Sequence, residues 1–398
     1  MSANTIIKIT GGHVIDPSTG ESAVRDLWIV NGRMVEPHGV VAASLHGDSG
    51  NGTGKTPPQG GYTEIDAAGC HVFPGLTDFH VHMFHGGTEI GFQPDSVLLP
   101  QGVTMAVDQG SSGVANCDAF HSGTLAKTTV RAYAFLHLCP AGLSTTRYLE
   151  NIDPKNFDPM AVRDVFDRHS EVFLGLKIRQ SVEIAGQHGL KPLERTLRIA
   201  DDLGVPVVVH TTDPAGKIED LASMLRPGDV FSHVYHGRGE TIMDEAGNIR
   251  PAIWKARERG VFFDTADGRV HYGVKQIRQA LAQGFLPDTI STDLTRINML
   301  VPPVIGLPFI MAKYMALGMR LEDVIKTVTN TPVAMLGLDA ARFGTLRPGA
   351  YADVAIFKLK DADLTVTDKA GDSVHLPQVL VPQMTLREGR IVYRSMEF

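Results

Sequence analysis

Eight apolar runs of strand length, recurring at the pace of alternating strands and helices, leave this chain very few folds. They are FPGLTDFHVH (73–82), VTMAVDQG (103–110), RAYAFLHL (131–138), FLGLKIRQ (173–180), VPVVVHTT (205–212), DVFSHVYH (229–236), VFFDTAD (261–267) and DTISTDL (288–294). Amphipathic stretches separate most of them. LERTLRIADDLG (193–204), AIWKARERG (252–260) and VKQIRQALAQG (274–284) each end on the glycine expected after a helix. Continuous apolar strands alternating with helices call for a parallel sheet covered on both faces. Eight such units predict closure into a (β/α)8 TIM barrel, with an open doubly wound sheet as the alternative.

The ends of the chain read differently. TIIKIT, HVID and DLWIV alternate with turn residues, and Asn31-Gly32 before RMVE is a two-residue hairpin signal. YADVAIFK follows Pro348-Gly349, and MTLREGRIVYRS turns around Glu388-Gly389. Residues 1–70 and 341–398 are therefore expected to form one small β-sandwich-like domain beside a barrel spanning 71–340. Residues 38–61, rich in Gly, Ser and Pro, predict a flexible excursion within the small domain. The run GTGKT there imitates a phosphate-binding loop, but Ser49 stands where its first glycine belongs and two prolines follow where a helix must begin.

A chain of 398 residues, 43% hydrophobic, can fill a barrel and a satellite core. Its 37 basic and 44 acidic residues are interspersed, so no basic face for nucleic acid is expected. Three scattered cysteines, Cys70, Cys117 and Cys139, suit a reducing compartment and disfavour both a disulfide framework and a cysteine zinc site. The first residues carry no signal-peptide pattern and no apolar stretch is long enough for a bilayer, so a cytoplasmic protein without a membrane partner is expected.

His80 and His82 sit two apart at the carboxyl end of the first predicted strand, where alternation points both to the same face. Two such histidines also suit a hydrogen-bonded polar pair. Position favours metal, because His210, His233 and Asp293 end the fifth, sixth and eighth strands, and barrel enzymes gather their chemistry at those ends. Lys177 ends FLGLK on the fourth strand. A buried lysine can be neutralised by a carboxylate partner. Beside metal ions a cation is costly, whereas a neutral amine can take up carbon dioxide as an anionic carbamate able to bridge two metals.

FPGLTDFHVH, the later lysine, the two histidines and STD resemble the amidohydrolase superfamily, as do the closing segments TNTPVAMLGL and GTLRPGAYADVAIF. GLKIRQS, HVYHG and the Asp293 of STDL are most similar to its dihydroorotase-like deacetylase branch. The resemblance implies two divalent ions, expected to be Zn2+. His80, His82 and Asp293 would bind the more buried ion, His210 and His233 the more exposed one, and carboxylated Lys177 would bridge them. It also implies a hydrolase of a small amide or ester, most simply a deacetylase acting on an N- or O-acetylated acid, with Asp293 moving the proton. The other readings are a cyclic amidohydrolase of dihydroorotase or hydantoinase type, a metal-dependent lyase or isomerase, and a noncatalytic assembly protein. The partner is a small acyl substrate, and barrel proteins of this kind are often homo-oligomers.

Around these six, Arg179 lies two beyond Lys177 and can hold a substrate carboxylate or a structural salt bridge; His236, in HVYHG, touches substrate or shapes a turn. Asp264 and Asp267 are read as turn-forming, and Asp108 as an acceptor for a ligand histidine or as half of a salt bridge. His85, His121, His137, His169, His188, His271 and His375 have no spacing that singles them out. DTADGRVHY is expected to lack the glycine-rich, histidine-bearing turn of close deacetylase relatives.

Overall fold

The structure, a computed structural model, describes residues 5–37 and 61–398. The glycine-rich excursion, apart from Gly61, and its phosphate-loop imitation lie outside the described residues.

Seven short strands come first: β1 (Ile6–Thr10), β2 (His13–Asp16), β3 (Glu21–Val24), β4 (Leu27–Val30), β5 (Arg33–Val35), β6 (Thr63–Asp66) and β7 (His71–Pro74). Seven parallel strands follow in sequential order: β8 (Leu76–Val81), β9 (Val103–Gln109), β10 (Arg131–His137), β11 (Phe173–Arg179), β12 (Val207–His210), β13 (Val230–Ser232) and β14 (Phe262–Asp264). The chain ends with β15 (Val354–Thr367), β16 (Ser373–Arg387) and β17 (Arg390–Arg394).

The terminal strands build two sheets, ordered β5-β4-β1-β6 and β17-β16-β15-β7-β2-β3. Ile7, Ile9 and Ile29 from one meet Val14, Val72, Ile356 and Leu386 from the other in a shared core. The hairpins form where the sequence places them: Asn31 and Gly32 take φ of 49° and 77°, and Glu388 and Gly389 take 48° and 72°, the left-handed pair that a tight hairpin turn needs. The first expected barrel strand is split. Its FP belongs to β7, paired with β15, and its LTDFHV is β8. Gly75 makes the passage between sheets, where a Cβ would lie 2.2 Å from Thr104 Oγ1.

The eighth strand is the other departure. Residues 288–294 form no regular strand but make single parallel bridges, Asp264↔Thr289 on one side and Val81↔Leu294 on the other, and so close the barrel. Backbone bonds such as Thr265 N–H to the Thr289 carbonyl (3.0 Å) and His82 N–H to the Leu294 carbonyl (2.8 Å) hold the segment in place, and two buried carboxylates add to them. Asp264 Oδ1 accepts from the hydroxyls of Thr289 (2.8 Å) and Ser291 (2.6 Å), while Asp78 accepts from the backbone N–H (3.1 Å) and hydroxyl (2.6 Å) of Thr292.

The helices cover the barrel as the periodicity predicts. Lys191–Leu203 buries Leu193, Leu197, Ile199 and Ala200 and stops at Gly204, whose φ of 69° closes the last turn. Pro159–His169 starts on Asp158, which accepts the N–H groups of Met160 and Ala161. No helix among the described residues is long and apolar enough to cross a membrane.

Candidate active site

The carboxyl ends of the barrel strands open into a cavity of about 470 Å³. His80, His82, Lys177, His210, His233 and Asp293 all line it, so the structure brings the six sequence-predicted residues together.

Three of the histidines, His80, His82 and His233, are held from behind. His80 donates from Nδ1 to Asp264 Oδ2 (3.0 Å), which also accepts from Ser232 Oγ at 2.9 Å. The Nε2 lone pair of His80 then faces the cavity, 3.3 Å from Lys177 Nζ. His82 Nδ1 meets Ser111 Oγ at 3.2 Å, and its Nε2 lies 3.1 Å from Asp293 Oδ1. His233 donates from Nδ1 to the Ala266 carbonyl (2.7 Å), leaving Nε2 free. His233, Ala266 and Asp293 have φ of 65°, 40° and 51°, left-handed backbone that a non-glycine residue adopts only when its surroundings enforce it.

Burial decides the protonation states. Desolvation pushes His80, His210 and His233 well below the ordinary histidine range, and the Lys177 charge adds to this at all three. Their rings are neutral near pH 7, with lone pairs available. Burial also lowers Lys177 to about 7, against the pull of Asp293 and Asp264. Among the described residues no carboxylate lies within ion-pair distance of Lys177, so the neutralised-lysine reading finds no partner. The donor atoms fall into two clusters, His80 with His82 and Asp293, and His210 with His233 and His271, each within 4.8 Å. Imidazole nitrogens and a carboxylate oxygen suit zinc and its neighbours.

His271 is the residue the sequence reading set aside. It sits seven residues past β14, its ring centroid 4.3 Å from that of His233 and its Nε2 3.7 Å from Asp293 Oδ2; Nδ1 bonds Thr212 Oγ1 at 2.9 Å. DTADGRVHY therefore does carry a glycine and a histidine into the site. Its Gly268 has φ of 51°, and a Cβ there would lie 2.6 Å from Asp293 Oδ2.

Two neighbouring expectations are corrected, and for His236 the turn is favoured, its N–H bonding the His233 carbonyl at 3.1 Å. Asp264 and Asp267 are not simple turn residues: Asp264 orients His80, and Asp267, fully buried, pairs with Lys313 and accepts from the Tyr314 hydroxyl at 3.0 Å. Asp108 contacts neither a ligand histidine nor a cation. It accepts the N–H groups of Met83 (2.8 Å) and Ser111 (2.7 Å), fixing the backbone after His82. His236 does not line the cavity; it is buried, and burial lowers it to about 3. Arg179 does line the cavity, ion-paired with Glu150. Glu150, which no motif marks, also meets His137 Nε2 at 3.0 Å. Burial opposes its charge, but Arg179 and His137 outweigh that and hold Glu150 at about 2.

Fold and cavity together define a barrel enzyme that works at the carboxyl ends of its strands. The chain belongs to the Amidohydrolase family, whose profile matches residues 71–392. A deacetylase of Agrobacterium fabrum is 36% identical over 321 residues, covering 80% of this chain and 78% of the relative. One from Brucella anthropi is 34% identical, covering 80% and 79%. A crystal structure described as a dihydroorotase superposes with a TM-score of 0.85 at 31% identity, covering 98% of each chain.

Proposed function

We propose that this protein is a binuclear metal-dependent deacetylase that hydrolyses the acetyl amide or ester of a small carboxylic acid. The observation that carries the reading is Lys177, a buried amine with a pKa near 7 and no carboxylate partner among the described residues, placed among neutral imidazoles. Its carbamate would turn an unfavourable cation into an anionic ligand. In this reading His80, His82 and Asp293 would hold one Zn2+ and His210 and His233 the other, with carboxylated Lys177 as a further anionic ligand. Two bound ions would supply Lewis acidity toward the acyl carbonyl and acidify a water near neutral pH.

The remaining chemistry belongs to the chain. Water adds to the acyl carbon, the bond to the leaving nitrogen or oxygen breaks, and acetate and the free amine or alcohol result. Asp293, partly exposed to the cavity, takes the proton from water and returns it to the leaving atom. His271 borders the other carboxylate oxygen and limits how Asp293 can turn. Arg179 is held by Glu150 on one side, and its remaining N–H groups can receive the acid's carboxylate.

Cyclic amide hydrolysis is the second reading, favoured by the likeness to the dihydroorotase structure. The deciding experiment couples metal analysis of the purified protein to a screen of N-acetyl amino acids and O-acetyl hydroxy acids of both hands, with cyclic amides alongside. Two zinc equivalents and acetate released from one hand are expected. Ring opening without acetate release would move the assignment to the cyclic class. Metal-free protein with unmodified Lys177 would end both readings.

A further inference from the structure

A second cluster of metal-ligating side chains lies outside the cavity, at the far end of β11. Lys177 is near the carboxyl end of that strand. Its opposite end, Phe173, is preceded by Glu171 and by His169, the last residue of helix Pro159–His169. Beside them comes His121, at the junction of the helical turns Cys117–Phe120 and His121–Leu125. One donor atom each from His121, His169 and Glu171 falls within 4.8 Å of the others.

The details favour a coordination site over an ordinary ion-pair patch. The imidazoles of His121 and His169 stack at 4.2 Å between centroids, so both cannot carry a proton without repelling each other. Each ring has its own carboxylate. His169 Nε2 lies 2.8 Å from Asp118 Oδ1, and His121 Nε2 lies 3.5 Å from Glu171 Oε1. One cation stands nearby: Arg168 bonds Asp118, with Nη1 3.2 Å from His169 Nε2. Arg168 also holds Asp164 at 3.0 Å, so its charge is shared between two carboxylates. Three carboxylates, Asp118, Asp164 and Glu171, outweigh that one guanidinium.

We propose that His121, His169 and Glu171 form a structural site for a divalent transition metal, with Asp118 bonded to His169 as its supporting carboxylate. Two imidazole nitrogens and a carboxylate oxygen select zinc, cobalt, nickel or copper over magnesium or calcium, which favour all-oxygen shells. Tetrahedral zinc sets its ligands roughly 3.4 Å apart. The donor atoms already lie within 4.8 Å of one another, and Glu171, 61% exposed, and His121, 25% exposed, have room to move toward that spacing. The ion would tie the segment after β9 to the loop that feeds β11. This end of a barrel serves stability and not turnover. The proposal stands apart from the cavity and from any reading of its substrate.

The test is equilibrium dialysis of the full-length protein against Zn2+, with the cavity metals already loaded, compared with a His121→Ala/His169→Ala variant. Wild type should take up one zinc equivalent more than the variant, with micromolar affinity, and acyl hydrolysis should match in the two. Glu171→Gln, which leaves both rings in place, should weaken that extra equivalent at least tenfold. Zinc at a hundredfold excess over its Kd should raise the Tm of wild type by about 3 °C and leave the double variant unmoved. Equal zinc uptake by wild type and double variant overturns the site, as does an extra equivalent that Glu171→Gln leaves at full strength.

Discussion

Lys313→Met tests whether a buried ion pair behind the cavity holds the loop that carries His271. Lys313, on helix Leu307–Ala316, is fully buried, paired with the equally buried Asp267, and its Nζ lies 3.6 Å from the centroid of the Tyr272 ring. Methionine matches the length of the lysine stem but takes the charge away. Asp267 is then left with the Tyr314 hydroxyl as its side-chain donor. Removing one member of a buried pair costs about 3–5 kcal/mol, most of it the stranded charge. At about 2.1 cal/mol/K per residue, the unfolding entropy of 398 residues is about 0.8 kcal/mol/K, so the Tm should fall by about 4–6 °C. Activity should suffer as well. The Asp267 carbonyl accepts the His271 N–H (3.1 Å), and Gly268, next in sequence, sits under Asp293. A kcat loss of about tenfold matches a sub-ångström shift there. Thermal unfolding by circular dichroism and steady-state acetate release measure the two effects. The companion variant Lys313→Met/Asp267→Asn removes both charges and should recover at least half of the lost Tm. A single variant within 1 °C of wild type, or a double variant no better than the single one, would refute the stranded-charge argument.

Asp293→Asn should lower kcat by about 10³-fold or more with metal content unchanged, as loss of a proton carrier requires; near-native turnover with full metal removes Asp293 from the proton path. Gly268→Ala places a methyl 2.6 Å from Asp293 Oδ2 and 3.0 Å from His271 Cδ2. It should cost tenfold or more in kcat but only about 1–2 °C in Tm, because a left-handed alanine alone costs about 1–2 kcal/mol; unchanged kcat would show that Asp293 has room to move. Lys177 should make metal reloading depend on both pH and bicarbonate. Its pKa in the folded chain is lowered to about 7, so the ammonium prevails at pH 6 and the reactive amine at pH 8. Activity recovery of metal-stripped protein given Zn2+ should therefore quicken between pH 6 and 8 and with added bicarbonate. Recovery indifferent to bicarbonate would count against a carbamate.

What the sequence reveals and what it hides divide along the line between strands and the loops above them. His80, His82, Lys177 and His210 lie on or next to regular parallel strands, where two-residue alternation and the carboxyl-end rule fix their direction. Asp293 was legible by position, although its segment is paired only by single bridges and irregular backbone bonds. Asp78 and Asp264 capture the hydroxyls of Thr289, Ser291 and Thr292 and the N–H of Thr292, an exchange no local pattern announces. Of the two readings offered for His236, the turn is the one with a contact behind it: its N–H bonds the His233 carbonyl at 3.1 Å, directly after His233 takes a φ of 65°. His271 and Glu150 were hidden altogether, because each is placed by a tertiary ion pair, Asp267 with Lys313 for the first and Arg179 with Glu150 for the second. The metal-capable donors are spread over both strands and loops: His80 and His210 on strands, and His82, His233, His271 and Asp293 just beyond them or on the loops, while Glu150 and Arg179 line the same cavity. Periodicity makes the barrel and the strand ends that carry His80, Lys177 and His210 readable, whereas the loop-borne part of the cavity is set by contacts that only the folded chain brings together.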